Sequence, residues 1–208
     1  MNEPINQISA DTHFNNLDCQ WRETSDNNFA AAGKNGKVYI YHLSGRSDPT
    51  RTYTWGHDSL TCVRFNPTEH ELLAACGMDR GVTLYDIRQA KPMRKVTLAM
   101  NSNQIAWNPY NPLMFAVASE DYQTYLFDMR KLDHASKILK GHVEAVMSCS
   151  FSPTGRKIVT GGWDKTLRIY DIHGNNNSNA SNIYHTKRMQ KVVGVQWSSD
   201  NKYSMLES

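Results

Sequence analysis

The chain has 208 residues, of which 21% are charged, and 23 Lys and Arg against 20 Asp and Glu give a formal net charge of +3. This balance excludes an acidic disordered chain and a long basic tail that would coat a polyanion. No stretch reaches the roughly 18 apolar residues of a membrane span, and the N-terminal letters MNEPINQISADTHF lack the layout of a signal peptide. We therefore expect a soluble chain from a reducing compartment, with no membrane partner.

Short apolar segments that end in an aromatic residue followed by Asp or His recur along the chain and predict equivalent β-strands. In chain order they are VYIYH, VTLYD, TYLFD and LRIYD, and their aromatic residues stand 42 to 44 positions apart. A turn-forming residue precedes each aromatic by six positions, and the four are Asn35, Asp79, Asp121 and Asp164. A further aromatic column recurs at Trp21, Phe65, Trp107, Phe151 and Trp197. Columns that keep their register over five units indicate an internal repeat.

Each repeat unit is predicted to be all-β, because its apolar segments are short and turn pairs such as Asn66-Pro67 and Asn108-Pro109 separate them. No apolar pattern of 3.6-residue period persists long enough for a helix. A unit of about 40–45 residues with Gly-His near its start and aromatic-Asp at its end resembles the blade of a WD-repeat β-propeller. The predicted fold is an incomplete arc of about four blades and the start of a fifth, in units at about 8–45, 51–88, 94–130, 137–173 and 182–208.

The resemblance to WD-repeat blades gives the repeated polar residues a structural role. In such blades the Gly-His histidine, a strand hydroxyl, the turn aspartate and the strand-end aromatic form one buried hydrogen-bond network. The fourth unit fits this pattern best, whereas the second has Ala75 in place of the hydroxyl. The predicted members are His57, Asp79 and Tyr85 in the second unit and His142, Thr160, Asp164 and Tyr170 in the fourth. One histidine per blade keeps these rings far apart, which argues against a shared metal or catalytic site.

The sequence offers no pattern that indicates an enzyme. The segment GKNGK lacks the spacing and the Ser or Thr of a phosphate-binding loop, and no nucleophile elbow or pair of carboxylates emerges. The four cysteines form no C-x-x-C pair and are interpreted as small buried hydrophobic residues. We therefore expect no catalytic residue, cofactor, metal or small-molecule substrate.

Two surface features are candidates for contact with a partner. The segment HTKRMQK carries Lys187, Arg188 and Lys191 and is three or four residues longer than its counterparts. Such a loop suits phosphate groups or an acidic protein, and a solvated loop is the alternative. The second feature is the aromatic-Asp-x-Arg ending, which places Arg88 and Arg130 just beyond a strand. There they are suited to pair with a partner's carboxylates, and ordinary loop charges are the alternative.

Several longer segments resemble the WD repeat and SOF domain-containing protein family. They include WGHDSLTCVRFNP, SEDYQTYLFDMRKLD, GHVEAVMSCSFSPTGRKIVTGGWDKTLRI and, most specifically, YHTKRMQKVVGVQW. The resemblance covers nearly the whole chain, from about Ile8 to Met205. It implies a scaffold of the nucleolar small-subunit processome, which acts in pre-ribosomal RNA processing and 18S rRNA maturation.

The same resemblance implies the partners and the location. The implied partners are processome proteins and pre-ribosomal RNA or a small nucleolar RNA particle, in the nucleus and nucleolus. The alternative that the family implies is a substrate receptor of a cullin-RING ubiquitin ligase, in which Arg88 and Arg130 dock the ligase adaptor. Because the family's propeller has seven blades and a basic SOF tail, we expect this chain to be partial, without the N-terminal blades and the tail.

Overall fold

The computed structural model of the chain describes residues 16–22, 28–42, 48–55, 58–173, 179–186, 190–200 and 204–207. Over these residues, eighteen β-strands form five antiparallel sheets, and no helix is present. Each of the first four sheets has four strands in simple meander order, and the fifth has two strands. The predicted all-β class and the open arc of four-stranded blades are thereby confirmed.

The strands follow one another in each sheet as they do along the chain. Sheet 1 contains β1 (Asn16–Trp21), β2 (Asn28–Gly33), β3 (Lys37–His42) and β4 (Arg51–Thr54). Sheet 2 contains β5 (Leu60–Phe65), β6 (Leu72–Gly77), β7 (Gly81–Asp86) and β8 (Arg94–Thr97). Sheet 3 contains β9 (Ser102–Trp107), β10 (Met114–Ser119), β11 (Thr124–Asp128) and β12 (Lys137–Leu139). Sheet 4 contains β13 (Val146–Phe151), β14 (Lys157–Gly162), β15 (Thr166–Asp171) and β16 (Asn182–His185), and sheet 5 contains β17 (Gly194–Trp197) and β18 (Ser204–Glu207).

Each sheet packs face to face on the next one. The apolar cluster between sheets 1 and 2 includes Val38, Ile40 and Leu73, and further clusters join sheets 2 to 3, 3 to 4 and 4 to 5. The second strands include small, fully buried residues, as in Ala30–Ala32 and Ala116–Ala118. The first strand of each sheet contacts the first strand of the next, which makes β1, β5, β9, β13 and β17 the inner edge of the arc.

Side chains along the inner edge link the sheets by hydrogen bonds. An inner strand has one edge without a strand partner, and its backbone N–H groups there need other acceptors. The preceding inner strand supplies these acceptors in the same register from sheet to sheet. The bonds run from Val63 N to Asp18 (3.0 Å), Phe65 N to Gln20 (2.6 Å), Ile105 N to Cys62 Sγ (3.4 Å), Cys149 N to Gln104 (2.8 Å), Val195 N to Ser148 (3.0 Å) and Trp197 N to Ser150 (3.1 Å).

The boundaries of the sheets differ from those of the predicted sequence units by one strand. The unit predicted at 51–88 supplies β4 to sheet 1 and β5–β7 to sheet 2, and the same offset recurs in sheets 3 and 4. We call the edge with the turns 34–36, 78–80, 120–123 and 163–165 the upper edge, and the edge with the turns 87–93 and 129–136 the lower edge. Each sequence unit therefore ties two sheets together.

The cysteines partly differ from their prediction. Cys62, Cys76 and Cys149 are buried, whereas Cys19 on β1 is exposed, so the buried interpretation is wrong for Cys19. Burial raises the pKa of the Cys149 thiol to about 12. The three buried thiols lie in the apolar clusters between sheets, where Cys62 Sγ also accepts the hydrogen bond from Ile105 N.

Candidate partner-binding sites

A buried polar network lies at the upper edge of sheet 4. The Asp164 carboxylate accepts a hydrogen bond from His142 Nδ1 at 2.9 Å, and His142 Nε2 lies 2.7 Å from the Thr160 hydroxyl. Thr166 donates to the same carboxylate through its hydroxyl at 2.8 Å and its backbone N–H at 3.1 Å. The side chains of His142 and Asp164 are each only 2% exposed. The tight β14–β15 turn that carries Asp164 therefore brings these polar groups together under the sheet edge.

Tyr170 lies next to the network. Its hydroxyl donates to the backbone oxygen of Lys140 at 3.1 Å, and burial raises the pKa of Tyr170 to about 12 although a hydrogen bond with Thr160 lowers it. Burial also raises the pKa of Asp164, but hydrogen bonds from His142 and Thr166 outweigh this effect and hold it well below its usual range. The structure thus places the four residues predicted in the fourth unit at one site.

In sheet 2 a lysine from the outer strand contacts the turn aspartate. Lys95 Nζ lies 2.5 Å from Asp79 Oδ2, and the same carboxylate accepts the backbone N–H of Gly81 at 3.0 Å. Tyr85 is buried against the Tyr53 ring, with 5.2 Å between ring centroids, and burial raises its pKa. His57, the remaining predicted member, lies outside the described residues. Lys95 was not predicted, because it stands on β8, far from Asp79 in sequence.

Sheets 1 and 3 use a tyrosine four residues after the turn residue. Asn35 donates to the Tyr39 hydroxyl at 2.7 Å, and the Tyr125 hydroxyl donates to Asp121. Burial and this bond raise the pKa of Tyr125. Sequence reasoning missed both pairs, although their identical spacing of four residues was a usable signal.

The described residues contain no helix long and apolar enough to cross a membrane. They also contain no group of three His, Cys, Asp or Glu side chains arranged to hold a metal ion.

Arg88 and Arg130 occupy equivalent places on the lower edge, in the turns after β7 and β11. Arg88 binds Asp86 with its Nε at 2.9 Å and an Nη at 2.7 Å, and Arg130 binds Asp128 at 3.1 and 2.8 Å in the same way. The hydrogen bonds from the arginines lower the pKa of Asp86 and of Asp128, with burial opposing them. The two arginine side chains remain 65% and 67% exposed. Each guanidinium is thus held in a fixed direction while most of its surface faces solvent.

A second set of cations contacts these turns from the neighbouring sheet. Arg51 at the start of β4 donates to the backbone oxygen of Gln89 at 3.3 Å, and Arg94 at the start of β8 donates to that of Arg130 at 3.0 Å. Lys137 at the start of β12 makes the third such contact, to the backbone oxygens of Asp171 and Ile172, both at 3.2 Å. Sequence reasoning missed this column, although its members are spaced by 43 residues.

Lys191, a described cation of the basic segment, lies at the opposite, upper edge. Lys191 Nζ is 4.2 Å from the ring centroid of Trp163, a cation–π contact next to the Asp164 turn. Lys187 and Arg188 lie outside the described residues. Arg88 and Arg130 therefore share one edge of the sheets, and Lys191 stands on the other.

Comparison with known proteins agrees with this architecture. The family described as "WD domain, G-beta repeat" matches residues 47–86 and 134–171. "DDB1- and CUL4-associated factor 13" is 39% identical in Xenopus laevis and 41% in Homo sapiens, each over 206 residues that make up 99% of this chain and 44% of the relative. "Protein SOF1" of Saccharomyces cerevisiae is 40% identical over 199 residues, 96% of this chain and 39% of the relative.

The chain thus spans less than half the length of these curated relatives. The two matched repeats begin before β4 and β12 and end with β7 and β15, so each repeat includes the outer strand of one sheet and three strands of the next. The chain therefore contains two segments that match the WD repeat, and over nearly its whole length it is similar to part of the proteins named DDB1- and CUL4-associated factor 13 and SOF1.

Proposed function

We propose that the chain is part of a non-catalytic scaffold in small-subunit ribosome biogenesis, which acts in pre-ribosomal RNA processing and 18S rRNA maturation in the nucleolus. The observation that supports this most is the similarity to "Protein SOF1", which extends over 96% of the chain at 40% identity. The family-specific segment YHTKRMQKVVGVQW lies within that length. The proposed partners are processome proteins and pre-ribosomal RNA or a small nucleolar RNA particle.

The architecture supports a scaffold more than an enzyme. The buried His142–Asp164 network is fully engaged within sheet 4, so its function is to hold the turn and not to meet a substrate. The candidate cations Arg88 and Arg130 lie on one edge and Lys191 lies on the opposite edge, where they can hold separate partners. A scaffold that presents separate surfaces needs neither a cofactor nor a small-molecule substrate.

Purification of the tagged native protein from nuclei tests the main proposal. We expect small-subunit precursor particles and processing-guide RNA to copurify with it. The variant Lys187→Glu with Arg188→Glu should reduce the copurified RNA if the basic segment contacts it. A native protein that brings down neither precursor particles nor guide RNA would contradict the proposed role.

A receptor in a cullin-RING ubiquitin ligase is the second candidate. The relatives named "DDB1- and CUL4-associated factor 13" favour it, and so do Arg88 and Arg130, which are oriented alike on the lower edge. We expect Arg88→Glu with Arg130→Glu to reduce capture of purified DDB1 and to leave the copurified ribosomal RNA unchanged. If neither this pair nor the Lys187 and Arg188 pair changes either capture, both site assignments are wrong.

A further inference from the structure

The lower edge of sheets 1–3 carries a row of exposed basic side chains. Arg51, Arg94 and the two turn arginines are exposed, as are Lys91 and Lys131 in the same turns. The nearest acidic residues, Asp86 and Asp128 at the ends of β7 and β11, are bound by Arg88 and Arg130. Asp133 is the further acidic residue of the turns 87–93 and 129–136. The adjacent turn 66–71 adds Glu69 and Glu71, which lie near Arg88, and Glu71 is bound by Arg22. The six exposed cations of the row still outnumber these five carboxylates.

The row includes two similar pairs of arginines, in addition to Lys91 and Lys131. Arg51 donates to the backbone oxygen of Gln89, the residue after Arg88, and Arg94 donates to the backbone oxygen of Arg130 itself. In each pair one guanidinium comes from the turn and the other from the outer strand of the preceding sheet. The second guanidinium thus joins the turn arginine on the same turn. The interlocking of the sheets creates these pairs, since neither pair lies within one sheet.

From this arrangement we infer that the paired arginines Arg51–Arg88 and Arg94–Arg130 form one docking surface for an acidic protein segment, in which Arg51 and Arg94 bind carboxylates alongside the turn arginines. The inference deepens the second function proposed above, because it shares Arg88 and Arg130 with the adaptor site. It adds two residues that no repeat motif identifies. It also sets the chemical class of the partner, a carboxylate-rich protein surface.

The composition of the surface favours a protein over RNA. Between the two pairs the chain presents Ala90, Pro92 and the 39% exposed Met93, and Arg and Met are enriched in protein–protein interfaces. Single-stranded RNA is bound by aromatic rings on which bases stack. The turns 87–93 and 129–136 contain no Phe, Tyr or Trp. Arginine's planar fork also suits carboxylate pairs.

The third position of the column supplies a matched control. Lys137 contacts the turn of sheet 4 as Arg51 and Arg94 contact theirs, but that turn carries His173 where the others carry arginine. Lys137→Gln therefore removes the same kind of inter-sheet contact without removing an arginine pair. Lys34→Gln with Lys140→Gln supplies a second control, because it removes two exposed charges from the upper edge.

Binding of a fluorescein-labelled poly-glutamate peptide, followed by anisotropy, tests the inference on the full chain. We expect Arg51→Gln with Arg94→Gln to weaken binding about tenfold, since two exposed charge contacts are lost. Arg51→Lys with Arg94→Lys should retain most of the affinity, and both controls should bind as the wild type does. Added salt should weaken the wild-type complex.

Each other outcome overturns part of the argument. If the wild type does not bind poly-glutamate, or if the upper-edge control loses as much affinity as Arg51→Gln with Arg94→Gln, the surface is not specific. If labelled oligo-uridine RNA binds more tightly and depends on the same arginines, the partner class is wrong. Capture of purified DDB1 separates the two proposals. If Arg88→Glu with Arg130→Glu abolishes this capture and Arg51→Gln with Arg94→Gln does not, only the present inference is refuted. Normal peptide binding without DDB1 capture refutes only the adaptor proposal.

Discussion

Replacement of Asp164 by alanine is expected to destabilise the fold more than any other single change in the polar turns. The carboxylate accepts the His142 ring N–H and two donors of Thr166, and all three donors lie in buried surroundings. A buried donor that loses its partner costs about 1–3 kcal/mol. Because alanine leaves a gap that admits some water, we expect a loss of about 3 kcal/mol in the free energy of unfolding.

A neighbouring turn provides the comparison. Asp121 in sheet 3 accepts bonds from the Tyr125 hydroxyl and from the Gln123 N–H, and its side chain is only partly buried. Solvent can replace these bonds, so Asp121→Ala should cost about 1 kcal/mol. Asp164→Asn keeps one acceptor oxygen and should fall between the two alanine variants.

Urea denaturation followed by tryptophan fluorescence gives the free energy of unfolding of the wild type and the three variants, and so ranks their stabilities. Asp164→Asn carries the test if the alanine variant does not fold. Equal losses for Asp164→Ala and Asp121→Ala would refute the reasoning, because burial and the number of donors would then have no bearing on the cost. Unchanged stability of Asp164→Asn would likewise show that the charge of the carboxylate contributes nothing.

Three further outcomes follow from the same sheet. The pKa of Asp164 is lowered in the folded state, so the ionised carboxylate stabilises the fold above the unfolded pKa near 4, and this contribution falls at lower pH. The difference in free energy of unfolding between wild type and Asp164→Asn, measured by urea denaturation, should therefore narrow below about pH 4. A difference that does not change with pH would contradict the assignment. Lys165 has φ of 64°, and Lys165→Gly should stabilise by about 0.5–1 kcal/mol, since relief of the left-handed strain exceeds the entropy cost of glycine; a lower denaturation midpoint would contradict this. Gly161→Ala should lower the free energy of unfolding by about 1–3 kcal/mol, because the added Cβ would lie 2.5 Å from Val192 and 2.7 Å from Val195 at the contact with sheet 5. Unchanged stability would mean that this contact is loosely packed.

The repeat pattern predicts the sheets better than it predicts which side chains meet. Aromatic and turn residues recur because every blade needs the same strands and the same tight turn, and the described strands lie where those columns predict them. Partners of the turn residue vary, since any donor that reaches the carboxylate satisfies it. Lys95, Tyr125 and His142 fill that role in three different sheets. The predicted histidine motif includes His142 but neither Lys95 nor Tyr125.

Contacts between sheets are the feature that is hardest to predict from the sequence. The Arg51 contact joins β4 to a turn of the next sheet, and the two residues are 38 positions apart. In the sequence, the contact is indicated only by the spacing of 43 residues from Arg51 to Arg94 and again to Lys137. This spacing can be interpreted only when the outer strand is known to belong to the preceding sheet. The one-strand offset between units and sheets hides this relation from inspection of single units.

The choice of substitution at the arginine turns depends on the geometry of Asp86. Its side chain is 5% exposed and bound by Arg88, so Arg88→Glu would place two carboxylates together and raise the pKa of Asp86. If that variant loses adaptor binding, the loss has two causes that cannot be separated: the missing arginine contact and a disturbed turn. Arg88→Gln with Arg130→Gln keeps a donor for each aspartate and removes only the charge. We expect this pair to reduce capture of DDB1 while the urea midpoint shifts less than for the glutamate pair. Equal shifts in the midpoint would mean that a second carboxylate beside Asp86 or Asp128 costs no more stability than loss of the arginine charge.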